Sequence, residues 1–240
     1  MHHYRLNIAY DGSNYYGFQQ QKDKPTIQGE LEKVFKTILK DYKFDYSGRT
    51  DSGVHAKEQV LSLSTPYSLD LKTIRSMNKL LGESISINKF VKTSLKFHAR
   101  YDATKRTYKY FISNSTQLQP YLRNHCYIYP DQLSIKKLNN VAQLFVGEHN
   151  FTAFSKFTKE KNPLRTIYKS SWSNKRDYFE YTIIGNSFLR NMVRNIVGVQ
   201  IAFMEEKISI EEIELNLRKP KNRLNYIAPP NGLILWKVKY

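Results

Sequence analysis

A single cysteine, Cys126, leaves this chain of 240 residues no internal disulfide to form. Disulfides persist where conditions are oxidising, so the expected compartment is the reducing cytoplasm. Long apolar runs are missing too: no stretch approaches the ~20 residues that a spanning helix needs. The mean hydropathy of −0.59 agrees with that. Met1-His2-His3-Tyr4-Arg5 carries neither the apolar core nor the small-residue cleavage site of a secretory leader. Gly/Ser linkers, low-complexity tracts and internal repeats are absent from the chain. Acids are scarce: 21 Asp and Glu stand against 38 Lys and Arg, a formal net charge of +17.

Aromatics, by contrast, are plentiful, at 14% of residues with 18 tyrosines. That excludes a disordered polycation, because such chains are poor in aromatics and cannot build a core. The length allows one large domain or two small ones. A surplus of this size points to a polyanionic partner, since neutralising phosphates releases counterions. Solubility alone would also use charge, but nucleic acid is the better account at this magnitude. The surplus is uneven. Residues 205–214 hold five glutamates and one lysine, whereas 215–240 hold six basic residues and no acid.

Short strand and helix patterns alternate along the chain. Tyr4 to Tyr10 alternates as a strand, followed by the turn Asp11-Gly12-Ser13-Asn14. Thr26 caps a helix with Ile27, Leu31, Val34, Ile38 and Leu39 on one face. Strands are expected at Phe44–Tyr46, Gln59–Leu63, from Ser84, at Thr107–Ile112 and over Gly232–Val238. A strand pair, Ile167–Trp172 with Phe179–Ile184, flanks the polar turn Ser173–Asp177. Helices are expected from Asp70 to Leu81, ended by Gly82, and from Ser134 to a stop at Gly147. Phe188 to Phe203 reads as one long helix, and Ser209-Ile210-Glu211-Glu212 starts another with a capping box. The expected fold class is α+β, with a mixed, mostly antiparallel sheet, helices on one side and two similar halves. The expected halves are residues 1–105 and 106–240, with loop-like sequence at Asn114–Pro120.

Chemistry concentrates in Gly48-Arg49-Thr50-Asp51-Ser52-Gly53-Val54-His55-Ala56. Glycine permits a positive φ and close approach of a ligand to the backbone. The Arg49 fork suits phosphate. A lone carboxylate beside a cation stays ionised, ready to act as nucleophile or base. An isolated Arg-Thr-Asp string is more often a surface turn; the flanking glycines and the strand that follows favour a functional loop.

This string closely resembles the signature loop of the tRNA pseudouridine synthase A (TruA) family. The resemblance extends through Tyr10-Asp11-Gly12 and Tyr15-Tyr16-Gly17-Phe18-Gln19. It continues in Phe97-His98-Ala99-Arg100, Arg106-Thr107-Tyr108-Lys109-Tyr110 and Val146 to Phe154. Phe188, Met192 to Gly198, and Ala228-Pro229-Pro230-Asn231-Gly232-Leu233 complete the series in family order. Two departures are small: Ser52 stands where the family usually has alanine, and Phe18 where it usually has tryptophan.

The resemblance implies isomerisation of uridine to pseudouridine in the anticodon stem-loop of tRNA, on the pseudouridine synthase fold, by a homodimer. It implies Asp51 as the catalytic aspartate and Arg49 as an RNA contact that fills the space of the flipped base. Tyr108 would stack on the target base, Arg194 would pair with the aspartate, and Leu233 would line the pocket. Arg190, expected one helical turn before Arg194 on the same face, would contact RNA. No metal or other cofactor is expected. The reaction is redox-neutral, and the six histidines lack metal-site spacing. His55 reads as a structural hydrogen-bonding residue. Two alternatives remain beside this reading: a non-catalytic RNA-binding module on the same fold, and pseudouridylation at another RNA position.

Overall fold

The computed structural model describes residues 1–114, 118–156, 162–220 and 223–240. Part of the loop expected at Asn114–Pro120 therefore lies outside the described residues. Contacts divide the chain into two units: Met1–Thr104 with Leu235–Tyr240, and Lys105–Ile234.

In the first unit, β1 (His2–Tyr10) pairs antiparallel with β3 (His55–Thr65) on one side and β4 (Ile85–Lys92) on the other. The short β2 (Lys43–Tyr46) joins β3 antiparallel, with Tyr46 opposite Leu61. Alternate residues of β1, Tyr4, Leu6, Ile8 and Tyr10, are buried, so one face of the strand meets the core. Helix α1 (Ile27–Leu39) buries Ile27, Leu31, Val34, Phe35 and Leu39. Phe35 takes the place expected for Ile38, because its ring meets Tyr42 and Phe44 edge-on at 5.6 and 5.4 Å. The hydroxyl of Thr26 accepts from Gly29 N, the cap that the sequence suggests. Helix α2 (Leu71–Leu81) begins at the Asp70 carboxylate, which accepts from Thr73 N at 2.7 Å, and ends at Gly82 with φ of 70°. It packs on α1 and β4.

In the second unit, β5 (Lys105–Ser113), β9 (Phe179–Gly185), β8 (Leu164–Asn174) and β7 (Gly147–Asn150) are neighbours in that order, all antiparallel. The two-residue β6 (Tyr127–Ile128) adds a parallel pair to β5, which makes the sheet mixed but mostly antiparallel. Helix α3 (Ile135–Gln143) covers β8 and packs on α4 (Met192–Met204). Helix α5 (Ile210–Arg218) starts at Ser209, whose hydroxyl accepts from Glu212 N. Strand β10 (Leu233–Lys239) begins at the end of this unit and belongs from Leu235 onward to the first.

Two helix boundaries differ from expectation. Helix α3 ends at Gln143 rather than running to Gly147, because the chain tightens into i→i+3 turns at Leu144, Phe145 and Val146. Gly147, at φ of 110°, instead opens β7. Helix α4 begins at Met192, not Phe188. Asn191 adopts the left-handed region at φ of 62°, which no helix can propagate through. Phe188 is left to pack its ring edge-on against Tyr108 at 5.2 Å.

Candidate active site

The Asp51 loop leaves β2 at Ser47 and returns to β3 at His55. Each step of it is tied down within the first unit. Ser47 N donates to Val60 O at 2.9 Å. Thr50 is buried; its hydroxyl bonds the Tyr10 hydroxyl at 2.9 Å and its carbonyl accepts from Phe18 N at 3.1 Å. Val54 N donates to Asp51 O at 3.2 Å, closing a tight turn in which Gly53 takes φ of 75°. Gly53 N and the Ser52 hydroxyl both donate to Tyr15 O, at 3.2 and 3.3 Å. Asp51 is half-buried and Arg49 exposed, its Nε donating to the Tyr46 hydroxyl at 3.4 Å. The backbone is thus fixed while the carboxylate stands at the edge of solvent.

The opening block supplies the wall behind this loop. Gly17 has φ of 96°, and a Cβ there would lie 2.8 Å from Thr50 O. A Cβ on Gly12 would lie 2.1 Å from Val54 O. Both glycines are required by close backbone approach. Phe18 is fully buried between Tyr10 and Tyr46, at ring distances of 6.1 and 4.4 Å. His55 is buried, and its Nδ1 accepts from Gly12 N at 3.1 Å, the structural role expected of it. His98 braces its own loop: its Nδ1 accepts from Arg100 N and its backbone N donates to Asp102 Oδ2.

The second unit holds Tyr108, Arg190, Arg194 and Leu233. Tyr108 lies on β5 opposite Ile183 and is 7% exposed. Arg194 projects from α4, half-buried, with its Nε donating to Ala228 O at 2.8 Å. Ala228 N returns a bond to Arg194 O at 3.0 Å. The next residue, Pro229, accepts from the buried Tyr110 hydroxyl at 2.7 Å. A Cβ on Gly232 would lie 2.7 Å from the Tyr110 ring, so the 228–232 segment lies flat on β5 and leads into the buried Leu233. Burial pushes the Tyr110 phenol well above the ordinary phenol range, with the Arg194 charge opposing in part. This unit therefore brings together Arg194, the segment before Leu233 and the strand that carries Tyr108. Arg190 is separate: it lies before α4, exposed, and shares no helical face with Arg194. The cause is the left-handed Asn191 between them.

The sequence reading names Thr50 and Tyr10 within the loop and the opening block but misses Gln59, which it places only at the start of a strand. The sign of Gln59 is a long polar side chain directly before the apolar pair Val60-Leu61 of an expected strand.

The first unit thus presents a pinned loop with a half-buried carboxylate, and the second an arginine bonded to the irregular segment at Ala228. The family model described as tRNA pseudouridine synthase matches residues 7–102 and 141–240. The chain belongs to the tRNA pseudouridine synthase family, a family of isomerases. Asp51, Arg49, Arg190, Arg194 and Leu233 fall within the matched spans, and Tyr108 falls between them. Among curated relatives, tRNA pseudouridine synthase A of Borreliella afzelii (strain PKo) is 40% identical over 238 residues, covering 97% of each chain. The protein of that name from Geobacillus sp. (strain WCH70) is 37% identical over 241 residues, covering 98% of this chain and 97% of its own. A solved archaeal box H/ACA sRNP Nop10-Cbf5 complex is 12% identical, with a TM-score of 0.36 over 81% of this chain and 42% of that one. A likeness that slight carries no argument, and the fold description stands on the strands themselves.

Proposed function

We propose that this protein converts uridine to pseudouridine in the anticodon stem-loop of tRNA, with Asp51 as the nucleophile. The observation that carries the proposal is the pinned backbone on both sides of Asp51, which presents a half-buried carboxylate in a loop of the family's sequence. The reaction conserves atoms and electrons. The bond from ribose C1′ to base N1 breaks, the uracil turns, and a bond from C1′ to C5 forms. The proton lost from C5 is balanced by the one gained at N1. A carboxylate suits the covalent step because it attacks without prior deprotonation. Nothing in the sequence of events calls for a cofactor.

The base must leave its stack before it can turn. Tyr108 is assigned the flat face that receives it, a stacking contact worth ~1–3 kcal/mol. The Phe188 ring, edge-on at 5.2 Å, supports that orientation. Arg49, exposed on the same loop as Asp51, fills the space the base vacates. Arg194 is the cation that pairs with the aspartate, Leu233 lines the pocket, and Arg190 contacts RNA phosphate. The working form is a homodimer in the cytoplasm, with tRNA as its partner. Among the described residues no helix is long and apolar enough to cross a membrane.

Asp51→Asn is the deciding variant. It is expected to abolish pseudouridine formation on tRNA transcripts while leaving tRNA affinity in place. Turnover by that variant would remove Asp51 from its role. Mapping pseudouridines in RNA from cells lacking the protein tests the anticodon stem-loop, and loss at other positions only would redirect the assignment.

A further inference from the structure

We infer that Gln59 is a positioning residue for the reaction: its side chain sets the direction in which the Asp51 loop leaves the sheet. The inference rests on the reading of Asp51 as nucleophile. The β2–β3 ladder ends with Tyr46 opposite Leu61, and Gln59 lies on β3 just past that end. There the chain of β2 turns away: Ser47 N still reaches Val60 O, while the Ser47 hydroxyl and Gly48 O find their partner in Gln59, which is fully buried. Its Oε1 accepts from the Ser47 hydroxyl and from Val60 N at 3.1 Å. Its Nε2 donates to Gly48 O at 2.7 Å. One primary amide thereby joins both sides of the exit point.

The chemistry of the residue matches the task. A primary amide carries an acceptor and a donor at the end of one side chain at any ordinary pH, which an ionised carboxylate does not. Buried polar groups left without partners are costly, so the tether is held tightly rather than shared with water. Only Arg49 and Thr50 separate Gly48 from Asp51, and the next fixed point is Thr50, held by Tyr10 and Phe18. With the Gly48 tether released, the loop keeps its far anchor and loses its near one. The carboxylate is then displaced without the fold being lost. A displacement of about 1 Å in a reacting group costs on the order of 100-fold in rate.

Gln59→Glu and Gln59→Met test this, with Leu63→Ala as a control that removes buried apolar bulk from the same strand. The readouts are single-turnover pseudouridine formation, tRNA affinity and melting temperature, with activity measured where each variant is folded. Both Gln59 variants are expected to lose about 100-fold in the chemical rate, with tRNA affinity close to the parent's. A buried carboxyl has a raised pKa and when protonated is both donor and acceptor, like the amide. The activity of Gln59→Glu relative to the parent should therefore rise as pH falls, whereas that of Gln59→Met should not. Leu63→Ala should keep the parental rate. Parental rate in Gln59→Met, or an equal loss in Leu63→Ala, overturns the inference, and these two variants decide it if Gln59→Glu does not fold. Asp51→Asn is run beside them. Turnover there sinks the Asp51 reading; an inactive Asp51→Asn with a fully active Gln59→Met sinks only the role of Gln59.

Discussion

Gly17 shows how little room surrounds the Asp51 loop. At φ of 96° an L side chain is strained, and its Cβ would press on Thr50 O at 2.8 Å and Asp51 C at 3.2 Å. Two backbones meet there, and neither can rotate away as a side chain could. Gly17→Ala is expected to cost roughly 1–3 kcal/mol of stability and to lower turnover beyond what the unfolded fraction explains. Denaturant midpoints paired with initial rates would check both. Gly12, whose Cβ would lie 2.1 Å from Val54 O, belongs to the same wall. The Asp-Gly turn and the loop itself are legible in the sequence, but the reason for these two glycines is not. It lies in the segment from Thr50 to Val54, which only folding brings near.

Helix α4 has a similar contact at the scale of an element. In an ordinary helix interior, glycine to alanine adds about 1 kcal/mol of stability. At Gly198 the sign should reverse, because the new Cβ would lie 2.4 Å from Tyr226 O and 2.6 Å from its carbon. That clash pushes α4 away from the 226–228 segment, which carries the reciprocal Arg194–Ala228 bonds. Gly198→Ala should therefore melt lower and turn over more slowly, and a variant that melts higher would refute the account. The acidic stretch also finds its place here. Glu205 accepts from the Tyr129 hydroxyl and pairs with Lys207, which holds its carboxyl below the usual range. Glu211 and Glu212 sit in the first turn of α5, where the helix dipole favours negative charge. Apolar spacing locates α4 from sequence, yet not its start. The left-handed Asn191 delays it and leaves Phe188 free to pack beside Tyr108, and neither shows in apolar spacing.

Two properties belong to the whole molecule. The first is charge. At +17 the protein should bind tRNA with an affinity whose logarithm falls linearly with the logarithm of salt. A salt-insensitive affinity would contradict the electrostatic account. The second is alkaline sensitivity. Burial raises the Cys126 thiol from its ordinary value near 9 up to about 12, and raises the phenols of Tyr110 and Tyr181 as well. Each group holds its proton in the folded chain at a pH where the unfolded chain releases it. The stability they contribute is complete below the unfolded values and ebbs as pH rises past them. Melting temperature should fall from about pH 9 upward, and Cys126→Ala should flatten the first part of that fall. A melting temperature unchanged through that range would refute it.

The sequence by itself determined the alternating strands and helices, the helix starts at Thr26, Asp70, Ser134 and Ser209, and the loop that carries Asp51. These are local properties: side-chain periodicity and capping hydrogen bonds act within a few residues. Tertiary structure alone decided what each loop rests on. Gln59 at the exit of the loop, Gly17 behind it, and Ala228 beneath Arg194 act through contacts between distant segments. No local pattern encodes such contacts, because they are selected by close packing and by the cost of unpaired buried polar groups. The net charge of +17 by itself points to a polyanionic partner. The hydrogen bonds between distant segments decide where the loop of Asp51 stands.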